Sequence, residues 1–134
     1  MARDGGRIVV ISDLGPGRLL RIAEAIAVES QCGIEDLRGA DRDGFHIYDA
    51  NARPPIYTLG TLLASAAGAL RVRLDVEVTA RRTRRGDGRV VFDWVETGSS
   101  LRPTVCRDFA RSLADELEAR VEGAGGEVLE SYDD

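Results

Sequence analysis

A chain of 134 residues, 43% hydrophobic and 31% charged, is long enough to bury its own core and lacks the composition of a disordered chain. No apolar run approaches the roughly 18 residues of a membrane-spanning helix, and the polar start Met1-Ala2-Arg3-Asp4-Gly5-Gly6 has no signal-peptide pattern, so a cytoplasmic protein without membrane association is expected. The net charge of −5 hides an asymmetry: seven arginines lie between Arg71 and Arg89, and nine acids between Asp108 and Asp134.

The apolar run Ile8-Val9-Val10-Ile11 predicts a strand from about Arg7 to Asp13. Leu19, Ile22, Ala23, Ile26 and Ala27 then recur at helical spacing, predicting a helix from Gly17 to about Gln31, stopped by Gly33. Ile34–Arg38 reads as a short strand, with Asp41-Arg42-Asp43-Gly44 turning into a strand at Phe45-His46-Ile47-Tyr48. Pro54-Pro55 breaks the chain and opens a second helix with Ile56, Leu59, Leu63, Ala66 and Leu70 on one stripe. Val72, Leu74, Val76 and Val78 alternate with Arg71, Arg73, Asp75, Glu77 and Thr79, the pattern of a strand with one face on the core. Asp87-Gly88 signals a hairpin back into Val90–Val95. Ser99 or Ser100 caps a last helix carrying Cys106, Ala110, Leu113, Leu117 and Val121 on one face, ended by Gly123, Gly125 and Gly126.

No repeat or linker divides the chain. Residues 1–126 are expected to form a single α+β domain, followed by a mobile acidic C-terminal tail over 127–134. The order β-α-β-β-α-β-β-α is satisfied by an open-faced sandwich: an antiparallel sheet of four to five strands with helices packed on one face.

The strand-to-helix turn Asp13-Leu14-Gly15-Pro16-Gly17-Arg18 is the leading candidate ligand site. Unpaired N–H groups and the helix dipole favour an anion at a helix N-terminus, and Arg18 and Arg21 place cations where the dipole alone disfavours them. Backbone N–H groups of Gly17 and Arg18 would hold an anionic part, and Asp13 an amino or hydroxyl group. The second candidate is the hairpin, whose Arg81, Arg82, Arg84, Arg85 and Arg89 suit a nucleic-acid backbone or an acidic protein partner.

Catalytic constellations are absent from the sequence, which argues against an enzyme. His46 is the one histidine, Cys32 and Cys106 form no CxxC pair, and no GxSxG elbow occurs. Gly15-x-Gly17 lacks the third glycine of a dinucleotide fingerprint, and a chain without lysine has no P-loop. No cofactor and no metal is expected, and both cysteines read as buried thiols.

The stretch Asp13, Pro16-Gly17, Leu19-Leu20, Ile22-Ala23, Ala25-Ile26-Ala27 and Gly33-Ile34-Glu35-Asp36-Leu37 resembles the opening of an ACT domain. That resemblance implies a regulatory module, commonly a homodimer, binding an amino acid or similar small ligand near the loop before the first helix. It covers Asp13 to Leu37 only, and Leu14-Gly15 is an insertion in the loop. The C-terminal element order, with Tyr48-Asp49-Ala50 and Leu62–Gly68, is similar to the phosphocarrier protein HPr. The loop histidine of that family is missing, since Gly17 and Arg18 stand there, so an HPr-like chain would be a protein-interaction module and not a phosphocarrier. The expected function is a non-enzymatic regulatory module for a small polar or anionic ligand at residues 13–18. The alternatives are HPr-like partner binding or nucleic-acid binding through the hairpin at 81–89.

Overall fold

The computed structural model describes residues 5–39, 42–51, 71–97 and 104–134. Eight elements follow in chain order: β1 (Gly5–Ser12), α1 (Pro16–Glu29), β2 (Gly33–Gly39), β3 (Arg42–Asn51), β4 (Arg71–Arg82), β5 (Gly88–Val95), α2 (Val105–Gly123) and β6 (Val128–Asp133). The strands form one sheet in the order β2-β3-β4-β5-β1-β6, with every neighbouring pair antiparallel. The architecture is therefore α+β with an antiparallel sheet, as expected, but the sheet has six strands in place of four to five.

β1 lies between β5 and β6, and Ile8, Val9 and Val10 are all inaccessible. An apolar run without alternation is what an interior strand covered on both faces requires. Ile8 and Val10 meet Val76, Val78, Val90 and Phe92 in the main core. α1 contributes Leu19, Ala23, Ile26 and Ala27 to it, and α2 contributes Phe109, Leu113, Leu117 and Val121. The two helices pack on each other and on the same face of the sheet. Each buries an apolar stripe at i, i+3, i+4 spacing, and that burial rather than propensity holds it.

Three expectations are corrected. Arg42, Asp43 and Gly44 are strand residues of β3, not a turn, because Asp43 and Gly44 pair with Ala80 and Thr79 of β4. Gly88 belongs to β5, opposite Arg82 and Ser12, and the hairpin bends instead through Thr83–Asp87. There Thr83 N–H donates to Asp87 O (2.8 Å), Gly86 N–H donates to Thr83 O (3.0 Å), and Gly86 takes the left-handed φ of 93°. The chain beyond Gly126 is not a free tail: Val128–Asp133 form β6 against β1, and Asp134 N–H donates to Arg7 O (2.8 Å). β1 had a free edge, and an edge row of N–H and C=O groups takes any segment in reach. The last described helix starts at Val105, with Thr104 at the N-cap position. Glu96, leaving β5, caps it by accepting from Cys106 N–H (2.9 Å) and Arg107 N–H (3.1 Å). Among the described residues there are two helices; the helix expected after Pro55 lies outside them, as do Ser99 and Ser100.

α1 ends earlier than Gly33 would place it. Gln31 takes the left-handed conformation (φ 58°), and Cys32 N–H reaches back to Ala27 O (3.0 Å). No helix of the described residues is long and apolar enough to cross a membrane.

Candidate functional site

The turn between β1 and α1 is anchored on its inner side. Ser12 is fully buried, and its hydroxyl accepts from Leu14 N–H (3.1 Å). The Asp13 carboxylate accepts from Glu127 N–H (2.8 Å), while Asp13 N–H donates to Glu127 O (3.3 Å). Asp13 therefore ties the turn to the entry of β6. Leu14 packs against the core and fills the space over Gly126, where a Cβ would stand 2.8 Å from Leu14 Cγ. Gly88 backs onto the Leu14 carbonyl and the Leu19 side chain, so no side chain fits there.

The outer side is open. Gly15 is the N-cap of α1 and supplies no side-chain cap, Pro16 occupies the first turn without an N–H, and no acid lies in that turn. Gly17 and Arg18 are exposed, and a Cβ on Gly15 or Gly17 would meet nothing within 4 Å. The N–H groups of Gly17 and Arg18 are thus left to solvent or a ligand.

The register Ser12↔Gly88 sets this turn beside the hairpin. The two candidates separated by some seventy residues in sequence meet at one end of the sheet. Arg82, Arg84 and Arg85 are exposed there, with Arg82 donating to Gly86 O (3.1 Å). Arg84 and Arg85 flank a shallow depression of about 540 Å³ with Ile11, Thr83, Leu129 and Glu130. Arg81 and Arg89 are direct cross-strand partners and point away from the helices.

The acidic C-terminus neutralises other arginines than these. Asp133 pairs with Arg111 on α2, and Asp134 lies 3.9 Å from Arg7. Glu29 and Arg120 link the two helices at 2.8 Å, which holds the Glu29 carboxyl below its usual range through the hydrogen bond from Arg120. His46, on β3, lies between Asp75 (2.9 Å) and Glu35 (3.5 Å), a cross-strand staple over β2, β3 and β4. Desolvation pushes the Cys32 thiol up to about 12 and the Cys106 thiol up to about 11, so neither is a nucleophile near neutral pH. Among the described residues, no group of three or more His, Cys, Asp or Glu could hold a metal ion.

Two roles were not legible in the sequence. Leu14 looks like a ligand contact but packs against the core, and Gly126, which ends α2 as expected by donating its N–H to Val121 O (2.9 Å), also makes room for it. The Leu14-Gly15 insertion was the available signal, because an apolar residue in an otherwise polar turn needs somewhere to go. No protein-family model, curated protein or solved structure matches the chain.

Proposed function

We propose that the chain is a non-enzymatic binding module for anionic, phosphate-bearing ligands, and that its working surface is the end of the sheet where residues 15–18 meet the arginine hairpin. The observation that carries this reading is the Ser12↔Gly88 register, which brings the β1–α1 turn, with its uncapped helix start, and the arginine hairpin to the same end of the sheet. The helix contributes two outward N–H groups and a partial positive charge. The hairpin contributes planar guanidiniums, which suit phosphate oxygens. Arg18 and Arg21 add cations to the same end of α1. In this reading Asp13 anchors the turn, its carboxylate accepting from the Glu127 amide. The ACT-like and HPr-like resemblances support the same loop as a working surface. A nucleotide, a sugar phosphate and a short oligonucleotide share the recognised chemistry.

A thermal-shift panel of amino acids, nucleotides, sugar phosphates and short oligonucleotides tests this reading. A ligand at about 100 times its dissociation constant stabilises the fold by roughly 2.7 kcal/mol. Phosphate-bearing members are expected to raise the melting temperature of the wild type. Gly17→Asp, which supplies the missing first-turn carboxylate, and the double variant Arg84→Gln/Arg85→Gln are each expected to reduce the rise. A panel without any anion response, or a response in both variants equal to that of the wild type, overturns the proposal.

A further inference from the structure

Three arginines gather away from the hairpin tip, on the sheet face opposite the helices. Strand alternation puts Arg7 of β1, Thr79 and Arg81 of β4, and Arg89, Val91 and Asp93 of β5 on that face, and these six residues, with Ala80, line one shallow depression of about 200 Å³. The registers fix the layout. Val91 lies opposite Thr79 on one side and Val9 on the other, and Arg89 lies opposite Arg81. Arg7 lies opposite Asp93. Val91 is thus the floor, at 7% exposure, and the polar heads form the rim.

The rim is poorly neutralised. Asp93 accepts from Arg7 Nε (2.8 Å), which orients that guanidinium and leaves its terminal nitrogens, one of them 3.9 Å from Asp134 at the sheet edge. Among the described residues neither Arg81 nor Arg89 meets a carboxylate within 4 Å. Like charges directly opposite in an antiparallel pair are destabilising. With Arg7 taken up by Asp93 and Asp134, Arg81 and Arg89 leave two positive charges around a site with a hydroxyl donor in Thr79. Two positive charges match a dianion.

We infer that this depression binds a phosphate monoester dianion, with Arg81 and Arg89 gripping its oxygens, Arg7 closing from β1 and Thr79 donating a hydroxyl hydrogen bond. The inference goes beyond the basic-end reading and uses Arg7, Thr79, Arg81 and Arg89 rather than the helix N-terminus and the hairpin tip. Either site can fail alone. The shared chemistry is the dianionic phosphoryl group, carried by free inorganic phosphate or by a phosphorylated small molecule, and not the singly charged diester of a nucleic-acid backbone.

Isothermal titration at constant ionic strength tests it, with inorganic phosphate, a simple alkyl phosphomonoester and a dialkyl phosphodiester as probes. Wild type is expected to bind the first two and to bind the diester about tenfold more weakly or not at all, because one of the two matched charges is missing. A monoester bound more tightly than inorganic phosphate identifies a phosphorylated small molecule as the source, and the reverse identifies free phosphate. Arg81→Gln and Arg89→Gln are each expected to lose about tenfold or more in phosphate affinity, the scale of a hydrogen bond to a charged group. Both are expected to melt no lower than wild type without phosphate, since each removes a like-charge pair. Thr79→Val keeps the strand and is expected to lose several-fold in phosphate affinity. Affinity for the alkyl phosphomonoester is expected to fall as pH drops through about 6, where its second proton binds, and affinity for sulfate is not. Equal diester affinity, phosphate affinity unchanged in Arg81→Gln and Arg89→Gln, or no phosphate binding by wild type overturns the inference.

Discussion

Asp13 separates two accounts of the β1–α1 turn. Its position at the mouth of a glycine turn suggests a ligand contact, yet its carboxylate accepts from Glu127 N–H at 2.8 Å and pins the start of β6. Replacing Asp13 with alanine removes this hydrogen bond to a charged group and a long one from the Ser12 hydroxyl (3.4 Å). Such bonds contribute about 1.5–3 kcal/mol. Asp13 is exposed, so water takes over part of the bond, and about 1 kcal/mol is the expected loss. For a chain of this size that lowers the melting temperature by about 3–5 °C. Asp13→Asn retains an acceptor oxygen and is expected to lose about half as much. Scanning calorimetry reads the stability, and hydrogen exchange at the Glu127 amide reads the bond itself, which is expected to exchange faster in Asp13→Ala. Nucleotide binding is expected to survive. An Asp13→Ala protein that melts like wild type but has lost nucleotide binding would refute the reasoning and return the carboxylate to the ligand.

Glu96 holds two N–H groups of the α2 N-terminus at 2.9 and 3.1 Å. Glu96→Ala is expected to cost about 2 kcal/mol, a cap and its charge assistance together, read as a lower urea midpoint; an unchanged midpoint would show that Thr104 suffices. Gln31 sits at φ 58°, a conformation that costs a side chain about 1 kcal/mol. Gln31→Gly is expected to stabilise the protein by roughly 0.5 kcal/mol after the added chain entropy of glycine, and a destabilised variant would show that the side-chain contacts of Gln31 outweigh its strain. Burial raises the Cys32 and Cys106 thiols to about 12 and about 11. Because a raised thiol pKa leaves almost no thiolate below it, iodoacetamide at pH 8 is expected to label neither cysteine until the chain unfolds, as mass spectrometry would report.

The elements with strong periodicity were legible. The alternation in β4 and the stripes of α1 and α2 need no tertiary information, because each side chain's destination follows from its period. What failed depended on partners distant in sequence. The segment 128–133 carries two acids and reads as a solvated tail, but β1 offers it an unpaired edge, and Arg111 and Arg7 meet Asp133 and Asp134. Asp43-Gly44 resembles a turn until β4 pairs with it. Glu96 is an unremarkable acid until the start of α2 is brought to it.

The site divided in the same way. The glycines and the arginines were visible as residue types, and their spacing suggested two separate candidates. Only the β1–β5 register makes them neighbours, and only the three-strand grid of β1, β5 and β4 collects Arg7, Arg81 and Arg89 around Val91. Neither relation has a local signature in the chain.

The most direct test of the basic-end account is an amide NMR titration of the labelled protein with a nucleoside monophosphate. The account predicts that the largest shifts fall on Gly17 and Arg18 and on Arg84, Arg85 and Gly86, two segments far apart in sequence responding together with one affinity. Shifts absent from both segments, or confined to one of them, would contradict it.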